Sequence, residues 1–149
     1  MSLKKDNYKS SDKKIMNFAI NLAENNKYIT GTNPSVGCVI IKNDKILSYA
    51  TTNNGGRPHA ESIALNKNRS NKGTSLYSTL EPCSHHGVTP PCTNAIIKNK
   101  VKRVYYSIED KDLRTFNKTK KILKSKKIVS ISGLQKRNVK NLYNEYNYI

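Results

Sequence analysis

Apolar residues recur at Ile15, Phe18, Ala19, Leu22 and Ala23, the i, i+3, i+4, i+7, i+8 spacing of one helix face. Ser11 or Asp12 stands where an N-cap belongs. Gly31 and Pro34 end the pattern. Residues 36–41, Val-Gly-Cys-Val-Ile-Ile, form the longest apolar run and predict a buried strand. Asn43-Asp44 predicts a turn, and residues 45–51 its antiparallel partner. Gly55-Gly56-Arg57-Pro58 predicts a loop that delivers a second helix over about 60–68. Residues 74–79 predict a strand and 80–90 a loop, with Pro91 opening a third helix to about 99. A strand over 102–108, a helix over 115–124, a strand over 127–132 and a helix over 134–146 complete the pattern. Tyr143, Tyr146 and Tyr148 of the last helix suit a core, a partner surface or a frayed tail. Residues 1–10 are polar and predicted to fray.

A helix and a hairpin, followed by alternating helices and strands, predict an α/β protein. Its sheet begins antiparallel and continues through right-handed crossovers, with helices on both faces. Its 149 residues fit one domain. A hydrophobic fraction of 36% and a mean hydropathy of −0.71 still allow one core. No apolar run approaches the ~20 residues of a membrane span. The first ten residues lack the apolar segment of a secretory signal, so the expected location is cytoplasmic.

The net charge of +17 first suggests a nucleic-acid or membrane partner. Its make-up argues otherwise, because 22 of the 27 basic residues are Lys and only five are Arg. Lys, Asn and Ile together follow an adenine- and thymine-rich codon bias, which spreads charge over the whole surface. Readers of nucleic acid lean on the arginine fork. No specific nucleic-acid partner and no membrane are expected.

Three cysteines, Cys38, Cys83 and Cys92, are too few and too odd for a disulfide scaffold. Cys38 sits inside the apolar strand and reads as core packing. Two segments carry the chemistry: Pro58-His59-Ala60-Glu61, and Glu81-Pro82-Cys83-Ser84-His85-His86-Gly87-Val88-Thr89-Pro90-Pro91-Cys92. His59, Cys83 and Cys92 offer one imidazole and two thiols, three ligands with a fourth position open, as in catalytic zinc sites. Both segments lead into predicted helices, whose N-terminal N–H groups favour thiolate over thiol. Glu61 is turned away from His59 and is placed to reach water rather than metal. Zinc lowers the pKa of a bound water from about 15.7 to about 7. A carboxylate beside it can take that proton and return it to a leaving amine. His-x-Glu with Pro-Cys is the signature of zinc deaminases, although here the second cysteine follows after eight residues. At least one of His85 and His86 is expected to face the pocket, the alternative being a solvated loop histidine.

The segments Asn33-Pro34-Ser35-Val36-Gly37, Pro58-His59-Ala60-Glu61, Thr79-Leu80-Glu81-Pro82-Cys83-Ser84-His85 and Gly87-Val88-Thr89-Pro90-Pro91-Cys92 resemble the deaminase domain of the bifunctional riboflavin biosynthesis deaminase/reductase. The eight residues between the cysteines, ending Thr-Pro-Pro-Cys, are the most specific element. They separate the chain from cytidine, deoxycytidylate and tRNA adenosine deaminases. The resemblance runs from about residue 15 to about 144. It implies a three-layer, cytidine-deaminase-like fold on a five-stranded mixed sheet, one zinc per chain and a homo-oligomer. It implies deamination of 2,5-diamino-6-ribosylamino-4(3H)-pyrimidinone 5′-phosphate. His59, Cys83 and Cys92 would be ligands, and Glu61 the proton shuttle. Asn33, Ala60, His85, Thr89 and Asp110 would contact the substrate.

Departures from the family pattern fall around this core. Thr52 stands where a histidine is usual, Val88 where Lys or Arg is usual, and Asp110-Lys111-Asp112 where Asp-Pro-Asn is usual. Asn117 and Thr119 stand where glycines are common. Lys111 or Arg114 could restore positive charge, or the substrate could lack the phosphate. No sequence for a nicotinamide-binding reductase follows, so that activity belongs to a separate protein or to a longer parent chain. The competing readings are a zinc deaminase of another pyrimidine or purine, an RNA-editing deaminase, and a non-catalytic partner of a reductase. The complete His/Glu/Cys/Cys set opposes the last, and the cysteine spacing opposes the RNA editor.

Overall fold

A computed structural model describes residues 8–144. The elements are α1 (Ser10–Asn25), β1 (Gly37–Lys42), β2 (Lys45–Thr51), a 3-10 turn (Asn54–Gly56), α2 (Ala60–Asn66), β3 (Ser75–Leu80), α3 (Cys92–Lys98), β4 (Arg103–Ile108), α4 (Lys118–Ser125), β5 (Val129–Ser132) and α5 (Lys136–Asn144). The strands lie in the order β2-β1-β3-β4-β5. β1 runs antiparallel to both neighbours, whereas β3, β4 and β5 are parallel. α1 packs with α5 on one face, and α2, α3 and α4 pack in series on the other. This is the anticipated α/β/α arrangement on a five-stranded mixed sheet. Among the described residues no helix is long and apolar enough to cross a membrane.

α1 is capped at Lys9, two or three residues before the expected Ser11 or Asp12. Asp12 is already helical, and its Oδ2 accepts the Lys9 N–H at 2.7 Å while its Oδ1 accepts the Tyr77 hydroxyl at 2.6 Å. The deepest residues of α1 are Met16, Ala19, Ile20 and Ala23, and Ile15, Phe18 and Leu22 lie at the core margin. The stripe is rotated because α1 presses on β1. A Cβ on Gly37 would lie 1.8 Å from the Ala19 carbonyl oxygen, so only glycine permits this contact.

α4 begins at Lys118, three residues later than expected. Asn117 adopts φ +57, a left-handed conformation through which a right-handed helix cannot pass. In α5, Tyr143 is buried; its hydroxyl donates to the Ser35 carbonyl at 3.1 Å and lies 2.6 Å from Thr79 Oγ1. Tyr146 and Tyr148 lie outside the described residues. The fraying expected of residues 1–10 also falls mostly outside them, and Ser10 is helical.

Candidate zinc and substrate site

The sheet topology brings distant segments to one edge. β1 pairs Cys38 with Ser78 of β3, and β3 pairs Leu80 with Ile108 of β4. The start of β1 and the ends of β2, β3 and β4 therefore meet, and the loops that leave them surround a cleft. Ligands of open α/β sheets bind beyond the carboxyl ends of parallel strands, and this cleft obeys that rule.

His59 caps α2 and Cys92 is the first residue of α3, as the two helix starts anticipated. Cys83 leaves β3 in the connecting loop. His59 Nδ1 lies 3.4 Å from Cys92 Sγ and 3.7 Å from Cys83 Sγ, and all three donor atoms lie within 4.8 Å of one another. A tetrahedral zinc with Zn–N near 2.0–2.1 Å and Zn–S near 2.3 Å has ligand–ligand edges of about 3.5–3.8 Å. The donor set fits zinc in both chemistry and spacing. No disulfide competes, because Cys83 and Cys92 are free thiols.

The local field prepares the sulfurs. The Cys92 N–H at the start of α3 donates to Cys83 Sγ at 3.2 Å. Hydrogen bonding from Cys92 holds the Cys83 thiol down to about 4, against its burial. The same contact, with burial, pushes the Cys92 thiol up, and a bound dication would ionise both. Hydrogen bonding to Cys83 raises the His59 ring, with burial opposing.

Glu61 is 3% exposed. Its Oε1 accepts the Ser78 hydroxyl at 3.0 Å, and its Oε2 lies 3.8 Å from Cys92 Sγ. The carboxylate thus borders the three donors without joining them. Burial pushes its pKa up, with the His59 charge pulling the other way.

Residues 9–108 match the family described as the cytidine and deoxycytidylate deaminase zinc-binding region. The chain belongs to this zinc-binding deaminase family. It is 39% identical over 127 residues to the diaminohydroxyphosphoribosylamino-pyrimidine deaminase of Buchnera aphidicola, across 85% of this chain and 86% of that one. It is 46% identical over 100 residues to riboflavin biosynthesis protein RibD of Aquifex aeolicus, across 66% of this chain and 28% of RibD. Acinetobacter baumannii RibD superimposes with a TM-score of 0.87 at 36% identity, covering 91% of this chain and 38% of that one. The chain spans about a third of the length of these RibD proteins. The family's cofactor is zinc, and His59, Cys83 and Cys92 are the residues positioned to hold it.

The other residues singled out from the deaminase sequence divide into two groups. Asn33, His85 and Asp110 line the cleft. Asn33 Nδ2 donates to the Gly56 carbonyl at 3.1 Å, which ties the Asn-Pro segment to the loop carrying His59. His85 Nδ1 lies 2.6 Å from Thr115 Oγ1, and Asp110 Oδ1 accepts the Asp112 N–H at 3.0 Å. Ala60 is fully buried at the start of α2 and presents no side chain to the cleft. Thr89 is taken up by Arg57, whose Nη1 donates to its Oγ1 at 3.0 Å. His86 is exposed, and Cys38 is fully buried in β1.

The departures from the family have physical settings too. Thr52 lines the cleft, but its Oγ1 accepts the Val36 N–H at 2.9 Å and works as a backbone clasp. Val88 is 82% exposed. Asp112 accepts a forked contact from Arg114, with Nη2 2.6 Å from Oδ2. Asn117 occupies the left-handed turn noted above, and Thr119 Oγ1 donates to the Pro82 carbonyl at 2.7 Å. Lys111 is not among the residues lining the cleft.

Two cleft residues were given no role in the sequence reading. Glu81 is buried at the end of β3 and accepts the N–H groups of Asp110, Asn117 and Thr119 at 3.2, 3.4 and 3.3 Å. It locks the loop after β4 against the loop bearing Cys83. Its place directly after a strand, in the Glu-Pro-Cys run, was its only signal. Arg57 was read as part of a loop, although it stands two residues before a ligand.

Proposed function

We propose that this chain is the zinc-dependent aminohydrolase that converts 2,5-diamino-6-ribosylamino-4(3H)-pyrimidinone 5′-phosphate and water into 5-amino-6-(5-phosphoribosylamino)uracil and ammonia. The observation that carries this reading is a buried carboxylate, Glu61, set beside an imidazole and two thiols spaced for zinc. The named deaminase of Buchnera aphidicola, matched over most of both chains, supports the substrate.

When bound by His59, Cys83 and Cys92, zinc supplies a Lewis acid that lets water lose a proton near neutral pH. Glu61 accepts that proton as the water oxygen adds to C2 of the pyrimidine. Ser78 holds one carboxylate oxygen and leaves the other facing the donors. Glu61 then delivers the proton to the amino nitrogen, the C2–N bond breaks, and ammonia departs. The water oxygen remains as the C2 carbonyl. A carboxyl whose pKa is raised by burial suits this shuttle, because it holds a proton between the two steps.

We assign the whole chain to a single deaminase domain acting as a homo-oligomer. The reduction that follows in riboflavin synthesis belongs to another domain or another polypeptide. The deciding experiment incubates the purified, zinc-loaded chain with the phosphorylated pyrimidine, cytidine and guanine in turn. Ammonia release with the first alone supports the assignment. Release only with cytidine or guanine would place the chain with another deaminase branch.

A further inference from the structure

The cleft contains two arginines in different electrostatic states. Arg114 meets a carboxylate, with Nε 3.0 Å from Asp112 Oδ1 and Nη2 2.6 Å from Oδ2. Arg57 has no carboxylate partner among the described residues. Its Nη1 donates to the neutral Thr89 hydroxyl, which leaves the positive charge uncompensated. An uncompensated, half-buried guanidinium in a ligand cleft is matched to an anion.

The surroundings of Arg57 show where that anion would sit. A Cβ built on Gly87 would lie 3.9 Å from Arg57 Nη2 and 3.9 Å from His85 Nε2. Guanidinium and imidazole therefore converge on one gap, which a side chain at position 87 would begin to fill. On the far side of His85, Thr115 Oγ1 accepts the Ser84 N–H at 3.1 Å and lies 2.6 Å from Nδ1. When the hydroxyl gives its own proton to Nδ1, Nε2 carries the ring N–H and presents it to the gap. Asp112 Oδ2 is 3.9 Å from that Nε2, and its charge is offset by Arg114.

His59 adds a second reason. Its Nδ1 faces the two thiols, so metal binding leaves the ring proton on Nε2. Arg57 Nη1 lies 3.5 Å from that Nε2. Two N–H donors then stand side by side, and an acceptor shared between them resolves the conflict.

We propose that Arg57, with His85 across Gly87, receives the phosphomonoester of the substrate. The proposal rests on the reaction assigned above and names the residue that makes it selective for the phosphorylated pyrimidine. Arg57 is a binding residue, and Glu61 performs the proton transfers whether or not a phosphate is present.

The test compares the phosphorylated pyrimidine with its dephosphorylated form, using wild type, Arg57→Gln and Arg57→Lys. A charged hydrogen bond of ordinary strength predicts that Arg57→Gln lowers the preference for the phosphorylated form by ~10–100-fold, chiefly through KM. Arg57→Lys, which keeps a point charge without the fork, should recover part of that preference. A calorimetric titration with ribose 5-phosphate and with ribose gives a readout that needs no turnover. Ribose 5-phosphate should bind wild type more tightly than ribose, and Arg57→Gln should remove the difference. Equal losses on both pyrimidines would show that Arg57 merely braces Thr89, and would overturn the proposal. A wild type indifferent to the phosphate would overturn it as well. If neither pyrimidine is deaminated, the assigned reaction falls, and the ribose 5-phosphate titration still decides whether Arg57 holds a phosphate.

Discussion

At the floor of the cleft, His59 caps α2, Cys92 opens α3, and Glu61 is the second residue of α2. At the rim, Arg57, His85, Asp112 and Arg114 all come from loops; Arg57 reaches Thr89 and His59, while His85 and Arg114 both meet Asp112. The floor is positioned by backbone: a helix start fixes where its first side chains point. The rim is positioned by pairwise polar contacts, so a charge can arise at one loop position or another and still reach the same space. Val88 and Arg57 illustrate this. The expected basic position at 88 is an exposed valine, while a guanidinium enters the cleft from position 57. Chemistry at the floor therefore constrains residue type and spacing together, whereas chemistry at the rim constrains only the outcome.

The largest effects should come from the floor. Cys83→Ala removes one of three ligands, and we expect the chain to lose its zinc and its activity together. Bound metal measured after gel filtration should fall below about a tenth of an equivalent, since three-ligand affinity depends on every ionised donor. Full metal content in this variant would mean that another group completes the site. Glu61→Gln should differ in kind: zinc retained, turnover lost. Glutamine keeps the shape and the acceptor oxygen that meets Ser78, but it cannot carry a proton. General acid–base catalysis contributes ~10²–10⁴-fold. One group serving two transfers should sit near the top, about 4–5 kcal/mol of barrier. Loss of zinc from this variant would make Glu61 a ligand and erase the distinction between holding and shuttling.

The legibility of the sequence follows the same division. The order of elements and the sheet pattern were readable because residues 36–41 are strongly apolar, 104–106 are the β formers Val-Tyr-Tyr, and turn residues separate the strands. The His59, Glu61, Cys83 and Cys92 set was readable because helix starts impose short spacings. Helix limits were less readable. Nothing local told that Asp12 would bind the Tyr77 hydroxyl across 65 residues and seat α1 earlier. Nor did the pattern show that Asn117 would turn left-handed and delay α4. Glu81 and Arg57 were missed because their partners lie in other loops, beyond any spacing rule.

A smaller effect should come from the joint between floor and rim. Gly56 has φ +96, and a Cβ there would lie 2.6 Å from the Thr30 carbonyl oxygen and 2.7 Å from Asn33 Nδ2. Gly56→Ala should destabilise the fold by about 2–3 kcal/mol, since the backbone must strain and Asn33 must move. Urea unfolding of the zinc-loaded variant measures this. Zinc affinity should weaken in parallel, because this loop delivers His59. A variant that unfolds like wild type would show the loop to be free to shift.

The smallest effect should come from Asn117, the residue before α4, which is joined to the rim through Glu81 and contacts neither zinc donors nor Glu61. Its φ of +57 is costly for most side chains, and asparagine is among the few that tolerate it. Alanine lacks the polar group that bonds locally in this conformation, so Asn117→Ala should cost about 1 kcal/mol. In a chain of this size that is a melting shift of roughly 2–4 °C. Glycine reaches the same conformation without strain but adds freedom to the unfolded chain. The two terms oppose, and Asn117→Gly should stay within about 0.5 kcal/mol of wild type. The Asn117 N–H donates to Glu81 Oε1 at 3.4 Å in the native turn, and both replacements keep that backbone donor. The difference between them therefore reports the cost of the conformation less the unfolded-chain freedom that glycine adds. Equal stability of the alanine and glycine variants would mean that the turn relaxes when its side chain changes, and that the rim is looser than the floor in backbone as well as in side chains.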